Sequence, residues 1–283
     1  MEFKLFERAE LVALKKENKW GLFKYNRVGG KAELIPLDFA QGLSSLEVHE
    51  EYNLLITSNN VYSLNGEKIL ENTGKVEVIK VGCVCLLVFY DYSKFYKTQI
   101  VVWDGEGVLF SGSCSDFRYS YPYLALKFGS VWSLFDVKGN PLDEAAFQAD
   151  DVEMYRGLLV AKCLGSCALY SFEKKSLIKE DQTRIVCSKE CKLALCARIG
   201  DDALNVYLSG KWHIIPEVND FGFVEGMDNL FYIKRGEKYF LYEDDMTRFM
   251  QHLYPEGVDF IAFNNGILMI VNDGEPYFYS RND

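Results

Sequence analysis

The chain has 283 residues, 49% apolar and 25% charged, with a formal net charge of -10 and a pI near 5.0. That apolar content excludes an intrinsically disordered chain, and the acidic balance argues against nucleic acid or anionic lipid as a partner, since such binding needs Lys and Arg to release counterions. The longest uncharged apolar run, residues 81–90, is far short of the roughly 20 residues of a spanning helix. The start at Met1 carries no export signal, so the expectation is a soluble cytoplasmic protein.

From the N-terminus, apolar residues alternate with period two and are interrupted every few positions by turn sequences, which predicts short strands throughout. A first unit (1–45) carries a strand over 3–7, a second aromatic strand at Lys19-Trp20-Gly21-Leu22-Phe23 and a Gly29-Gly30 turn. A second unit (46–75) turns at Asn65-Gly66. The third (76–115) contains the very apolar Leu86-Leu87-Val88-Phe89, a long loop from Tyr90 to Lys97, and a turn at Gly105-Glu106-Gly107. The fourth (116–150) turns at Lys138-Gly139-Asn140, after which 143–148 could coil into a helical turn. Gly and Asn accept the positive φ that tight hairpins demand.

The fifth unit (151–183) shows the plan most clearly, as four short strands over 152–155, 158–162, 168–172 and 177–178. The sixth (184–219) repeats that order. The seventh (220–258) does so with 246–254 as a second candidate helical turn, and the eighth (259–283) ends without a fourth strand. One aromatic recurs before a turn in every unit: Phe23, Tyr62, Trp103, Phe135, Tyr170, Tyr207, Tyr242 and Tyr279, spaced roughly 32 to 41 residues apart. This predicts an all-β repeat fold, propeller-like, with about eight four-stranded units of ~36 residues in one domain. An open β superhelix of the same units, or a seven-bladed ring, would leave a similar signal. The second strands are apolar on both faces, as in Leu86-Leu87-Val88-Phe89, so they should be the most buried.

Lys19-Trp20-Gly21-Leu22-Phe23, followed by Gly29-Gly30-Lys31-Ala32-Glu33-Leu34-Ile35-Pro36, resembles the WG-repeat family of bacterial proteins. Val131-Trp132-Ser133-Leu134-Phe135-Asp136 with Gly139-Asn140-Pro141-Leu142 repeats the motif loosely, with Ser133 in place of the motif glycine. The resemblance implies a noncatalytic repeat scaffold, sometimes found near toxins and their inhibitors, and brings no catalytic residues. Lys211-Trp212-His213 falls on a fourth strand rather than a third and is set apart. Trp20 and Trp132 then read as packing between sheets.

Cys163, Cys167, Cys187 and Cys191 form two Cys-x-x-x-Cys pairs, and four thiolates suit tetrahedral zinc. In a meander, however, Cys163 and Cys167 flank the turn between second and third strands, whereas Cys191 lies at the opposite end. Five-residue strands separate those ends by roughly 15 to 17 Å. Reduced thiols packed as small apolar groups are expected, including Cys83, Cys85 and Cys196 on strands, with no metal and no cofactor. His49, His213 and His252 lie in different units, and paired carboxylates such as Asp244-Asp245 are adjacent and point apart. No catalytic residue is assigned.

Two loop classes share one end of each meander: those between second and third strands, and those joining one unit to the next. The first includes Tyr90, Asp91, Tyr92, Phe95 and Tyr96, an aromatic excess that suits a protein interface. With Asp201 and Asp202, and with Asp150, Asp151, Asp181 and Asp220 from the linking loops, that end is aromatic and acidic. Tyr119, Tyr121 and Tyr123 alternate along a strand and read as packing. The expected function is a noncatalytic protein-binding scaffold for a basic partner, such as an inhibitor or immunity protein covering a toxin or enzyme. The alternatives are a propeller enzyme or carbohydrate-binding module, and an architectural module of an assembly.

Overall fold

The computed structural model describes residues 2–28, 31–71, 75–91, 97–188, 193–198, 200–225, 227–264 and 267–280. Among them are thirty β-strands in eight antiparallel sheets, two short 3-10 turns and no α-helix. Every sheet is a simple meander, each strand pairing with its neighbours in sequence. The first holds β1 (Glu2–Phe6), β2 (Leu11–Lys16), β3 (Lys19–Val28) and β4 (Lys31–Pro36). The second holds β5 (Leu46–His49), β6 (Leu54–Thr57), β7 (Asn60–Ser63) and β8 (Lys68–Glu71). The third holds β9 (Val76–Val81), β10 (Val84–Asp91), β11 (Lys97–Trp103) and β12 (Val108–Cys114). The fourth holds β13 (Asp116–Ser120), β14 (Tyr123–Phe128), β15 (Val131–Asp136) and β16 (Pro141–Gln148).

The fifth sheet holds β17 (Asp151–Tyr155), β18 (Leu158–Cys163), β19 (Ser166–Ser171) and β20 (Ser176–Gln182), and the sixth β21 (Arg184–Cys187), β22 (Leu193–Ala197), β23 (Ala203–Leu208) and β24 (Lys211–Pro216). The last two sheets are three-stranded: β25 (Asp220–Val224), β26 (Met227–Arg235) and β27 (Lys238–Glu243), then β28 (Phe260–Asn264), β29 (Ile267–Asn272) and β30 (Glu275–Ser280). The protein is an all-β, propeller-like repeat. It divides into two compact units, Met1–Leu142 and Asp143–Asp283.

The eight recurring aromatics all fall on the third strand of their sheets, from Phe23 on β3 to Tyr279 on β30. Trp103, Tyr170 and Tyr207 are almost fully buried. The second strands of the second to sixth sheets are buried on both faces at their centres because alternate residues serve two different cores, whereas β2 and β29 alternate buried with less buried residues. On β10, Leu86 and Val88 pack with Leu124 and Leu126 of the fourth sheet. Cys85, Leu87 and Phe89 pack with Leu54 and Ile56 of the second. Burying one such leucine stabilises by about 1.5–3 kcal/mol, so β10 holds the third sheet against both the second and the fourth.

Turn chemistry fixes where strands end. Asp136 closes the turn after β15: its carboxylate accepts the backbone N–H groups of Lys138 and Asn140 at 2.9 Å each, and the Asn140 side chain at 2.7 Å. Gly139 inside that turn has φ +82°, open to glycine without strain. Asp104 does the same after β11, accepting from Glu106 and Gly107. Trp20 and Trp132 occupy equivalent places at the start of third strands. Each is buried and lies opposite a second-strand lysine, Lys15 and Lys127, whose ammonium sits over the indole at 5.4 Å.

Three local expectations are corrected. Residues 143–148 belong to strand β16 rather than a helical turn. Within 246–254 a single helical turn does form, with Tyr254 donating to the Met250 carbonyl at 3.1 Å, and the segment lies along the edge of β27, where Phe249 donates to Leu241 and Val258 exchanges both backbone bonds with Tyr239. Cys83 is exposed in the turn after β9 instead of on a strand. Tyr119, Tyr121 and Tyr123 do not share a strand: Tyr121 sits in the turn between β13 and β14, and its ring lies over the place where Gly82 has no side chain.

Candidate functional site

The end of each meander that carries the second-to-third-strand turn also carries the link to the next sheet. At this end of the third and fourth sheets lies a cleft of about 460 Å³, lined by Tyr90, Lys97, Thr98, Ser113, Cys114, Ser115, Phe128 and Gly129. That volume falls within the range of small-ligand sites. Tyr90 is near the end of β10 and Phe128 is the end of β14, so both residues stand at the second-to-third-strand end of adjacent sheets. Both are exposed, at 55% and 44%. Ser115 of the lining ties the two sheets together, since its backbone N–H and hydroxyl both donate to the Lys127 carbonyl, at 2.8 and 3.0 Å.

The groups facing this cleft are aromatic rings, hydroxyls and one ammonium. Cys114 beside them is buried, and burial together with the Asp116 carboxylate pushes its thiol up to about 11. It is protonated at neutral pH and a poor nucleophile. The lining therefore suits recognition by stacking and hydrogen bonding.

The other sequence-derived candidates divide into three groups. Tyr92, Phe95 and Tyr96 lie outside the described residues, while Asp91 closes β10 next to Tyr90. In the compact unit Asp143–Asp283, Asp150, Asp151 and Asp220 sit where one sheet leads into the next, and their carboxylates bond within the fold. Asp150 accepts the Leu164 N–H at 3.0 Å, and Asp151 accepts the Val152 N–H at 2.8 Å. Asp220 accepts Phe221 N–H and the Arg184 guanidinium, each at 2.8 Å, and the Tyr232 hydroxyl at 3.3 Å. Asp181, which lies on β20 rather than in a linking loop, and Asp201 and Asp202, between β22 and β23, are exposed without an ion pair among the described residues.

Sequence reasoning missed two apolar tips. Phe128 was hidden by its place at the end of an apolar strand. Leu164, 93% exposed in the turn between β18 and β19, was overshadowed by the flanking cysteines, although a leucine at a turn tip is itself a signal. A second cleft of about 420 Å³ opens at the opposite end of the first and second sheets, lined in part by Arg8, Lys24, Glu50 and Asn53. There Glu50 accepts the Ala9 N–H and Asn53 donates to the Gly105 carbonyl, so both side chains tie the structure together.

No family model matches the sequence, and no curated protein matches it. Among solved structures, the chain is similar to Hsv2 of Kluyveromyces lactis at 12% identity, over 80% of this chain and 88% of that one, with a TM-score of 0.38. It is similar to a eukaryotic initiation factor at 7% identity over 88% and 86% of the two chains (TM-score 0.40), and to the Pan2 WD40 domain of Neurospora crassa at 11% over 82% and 85% (TM-score 0.31). Likenesses at this level carry no argument about function, and the fold assignment rests on the eight meanders.

Proposed function

We propose that the protein is a noncatalytic protein-binding scaffold that docks its partner on the loop end of the third and fourth sheets. The observation that carries this reading is the pair of exposed rings, Tyr90 and Phe128, lining a cleft together with hydroxyls and Lys97. Aromatic residues at the rim of a concavity supply large contact area at small entropic cost and dominate interface energetics.

The partner in this reading is a basic protein. The net charge of -10 supports it, as do the exposed Asp181, Asp201 and Asp202 of the compact unit Asp143–Asp283, because complementary charge raises association rates. A cytoplasmic inhibitor or immunity protein acting on a basic toxin or enzyme fits that chemistry and the WG-repeat resemblance. The test is a Tyr90→Ala/Phe128→Ala double variant assayed against the partner captured from native cells. Binding weaker by about tenfold or more at unchanged melting temperature supports the reading; unchanged binding removes it.

A further inference from the structure

In the compact unit Met1–Leu142, the cleft of about 420 Å³ at the first and second sheets contains two cations that no side chain engages. Arg8 comes from the turn after β1, and Lys24 from β3. The backbone sets both in place: the Tyr25 N–H donates to the Glu10 carbonyl at 3.0 Å, joining β3 to the turn that carries Arg8. Lys24 lies opposite Leu11 in the register of β2 and β3. From the second sheet, Glu50 accepts the Ala9 N–H at 2.9 Å, and the Leu64 N–H donates to the Asn53 carbonyl at 3.0 Å. The walls of the cleft are therefore tied to one another before any ligand arrives.

Glu50 and Asn53 are engaged in the fold, whereas Arg8, Lys24 and Asn65 make no hydrogen bond or ion pair among the described residues. In this chain Asp and Glu outnumber Lys and Arg by 41 to 31, and cations elsewhere in the same unit find them, as Lys15 finds Glu2 and Arg118 finds Asp116. Two unengaged cations on one concavity are the exception. With Glu50 counted against Arg8 and Lys24, the lining carries one net positive charge, which matches a single carboxylate. The rest of the lining is apolar: Leu11 is buried, and Leu37 and Leu64 pack against the same hydrophobic cluster of the first two sheets. We propose that this cleft binds a small organic acid. Its carboxylate takes charge-assisted hydrogen bonds from Arg8 and Lys24, and its apolar body lies against Leu11, Leu37 and Leu64. Free phosphate satisfies only the first half of that chemistry. The site is separate from the Tyr90 cleft and does not depend on it.

The probe is sodium hexanoate, titrated into the intact protein and followed through its amide chemical shifts. Saturable shifts are expected, centred on Arg8, Lys24, Asn53 and Asn65. Hexanol keeps the apolar body without the charge, and inorganic phosphate keeps the charge without the body; each should bind at least about tenfold more weakly. Arg8→Gln and Lys24→Gln should each weaken hexanoate by about tenfold. Neither should change the melting temperature, because neither side chain bonds within the fold. The proposal is overturned by absent shifts, by shifts centred elsewhere, or by hexanol or phosphate binding as tightly as hexanoate. An Arg8→Gln/Lys24→Gln double variant that binds hexanoate like the parent would also overturn it.

Discussion

The guanidinium of Arg184, the first residue of β21, holds the carboxylate of Asp220, the first residue of β25, at 2.8 Å. It also lies over the Phe221 ring, 4.7 Å from the centroid. An acidic residue in a linking loop, which on the sequence looks available to a partner, thus latches the first strands of two successive sheets.

Asp220→Ala is expected to lower stability by about 1 kcal/mol, and Asp220→Asn by less, because the amide oxygen still accepts the Phe221 N–H. Both partners are nearly half exposed, so solvent screens the pair and the coupling in a double-mutant cycle with Arg184→Ala should be at the low end for ion pairs, about 0.5 kcal/mol. Urea midpoints check this, and the coupling should shrink at high salt.

Trp132 is fully buried, so Trp132→Ala should cost about 3–5 kcal/mol in chemical denaturation. Trp20→Ala should fall in the same range if the two tryptophans do equivalent work in their sheets. A loss below 1 kcal/mol at either would contradict their role as packing residues.

Thiol chemistry should sort by burial. Burial pushes Cys85 up to about 12, and the same cause, with the Asp116 carboxylate adding, takes Cys114 to about 11. Cys196 rises to about 12 through burial, against the opposing charge of Lys179. Alkylation of the native protein should mark the exposed Cys83 and Cys163 first, and these three only after unfolding. Because their folded values are raised, the unfolded chain ionises first. Stability should therefore fall as pH climbs past the ordinary thiol value.

Glu153 offers an acid-side test. Burial opposes its ionisation, but the Lys162 ammonium and Tyr155 hydroxyl outweigh that and hold its carboxyl below the usual range. A depressed carboxyl contributes above its unfolded value and loses that contribution as pH falls through the folded one. Glu153→Gln should cost about 0.5 kcal/mol at neutral pH, a figure reduced for solvent exposure. The gap to the parent should close as pH falls below the usual carboxylate range.

The repeat was legible because each unit places one aromatic on its third strand and a glycine or asparagine in a nearby turn, two local signals that survive without any long-range information. Asp143-Glu144-Ala145-Ala146-Phe147-Gln148 has helix-forming composition, yet it lies in β16; pairing within the fourth sheet overrides propensity there. The fate of Asp220 was not legible either, since its partner Arg184 lies 36 positions away and only the stacking of sheets brings them together. The Tyr90 end of the cleft could be read from an aromatic loop, but Phe128 belongs to the site only because the ends of β10 and β14 line one cleft in neighbouring sheets.

The most direct test of the docking surface is in-cell photocrosslinking with a photoreactive amino acid at position 90, at position 128 and, as a control, at position 65 on the opposite end of the second sheet. The account predicts a protein adduct of the same mass from positions 90 and 128 and none from position 65. Adducts from position 65 alone, or none at positions 90 and 128, would contradict it.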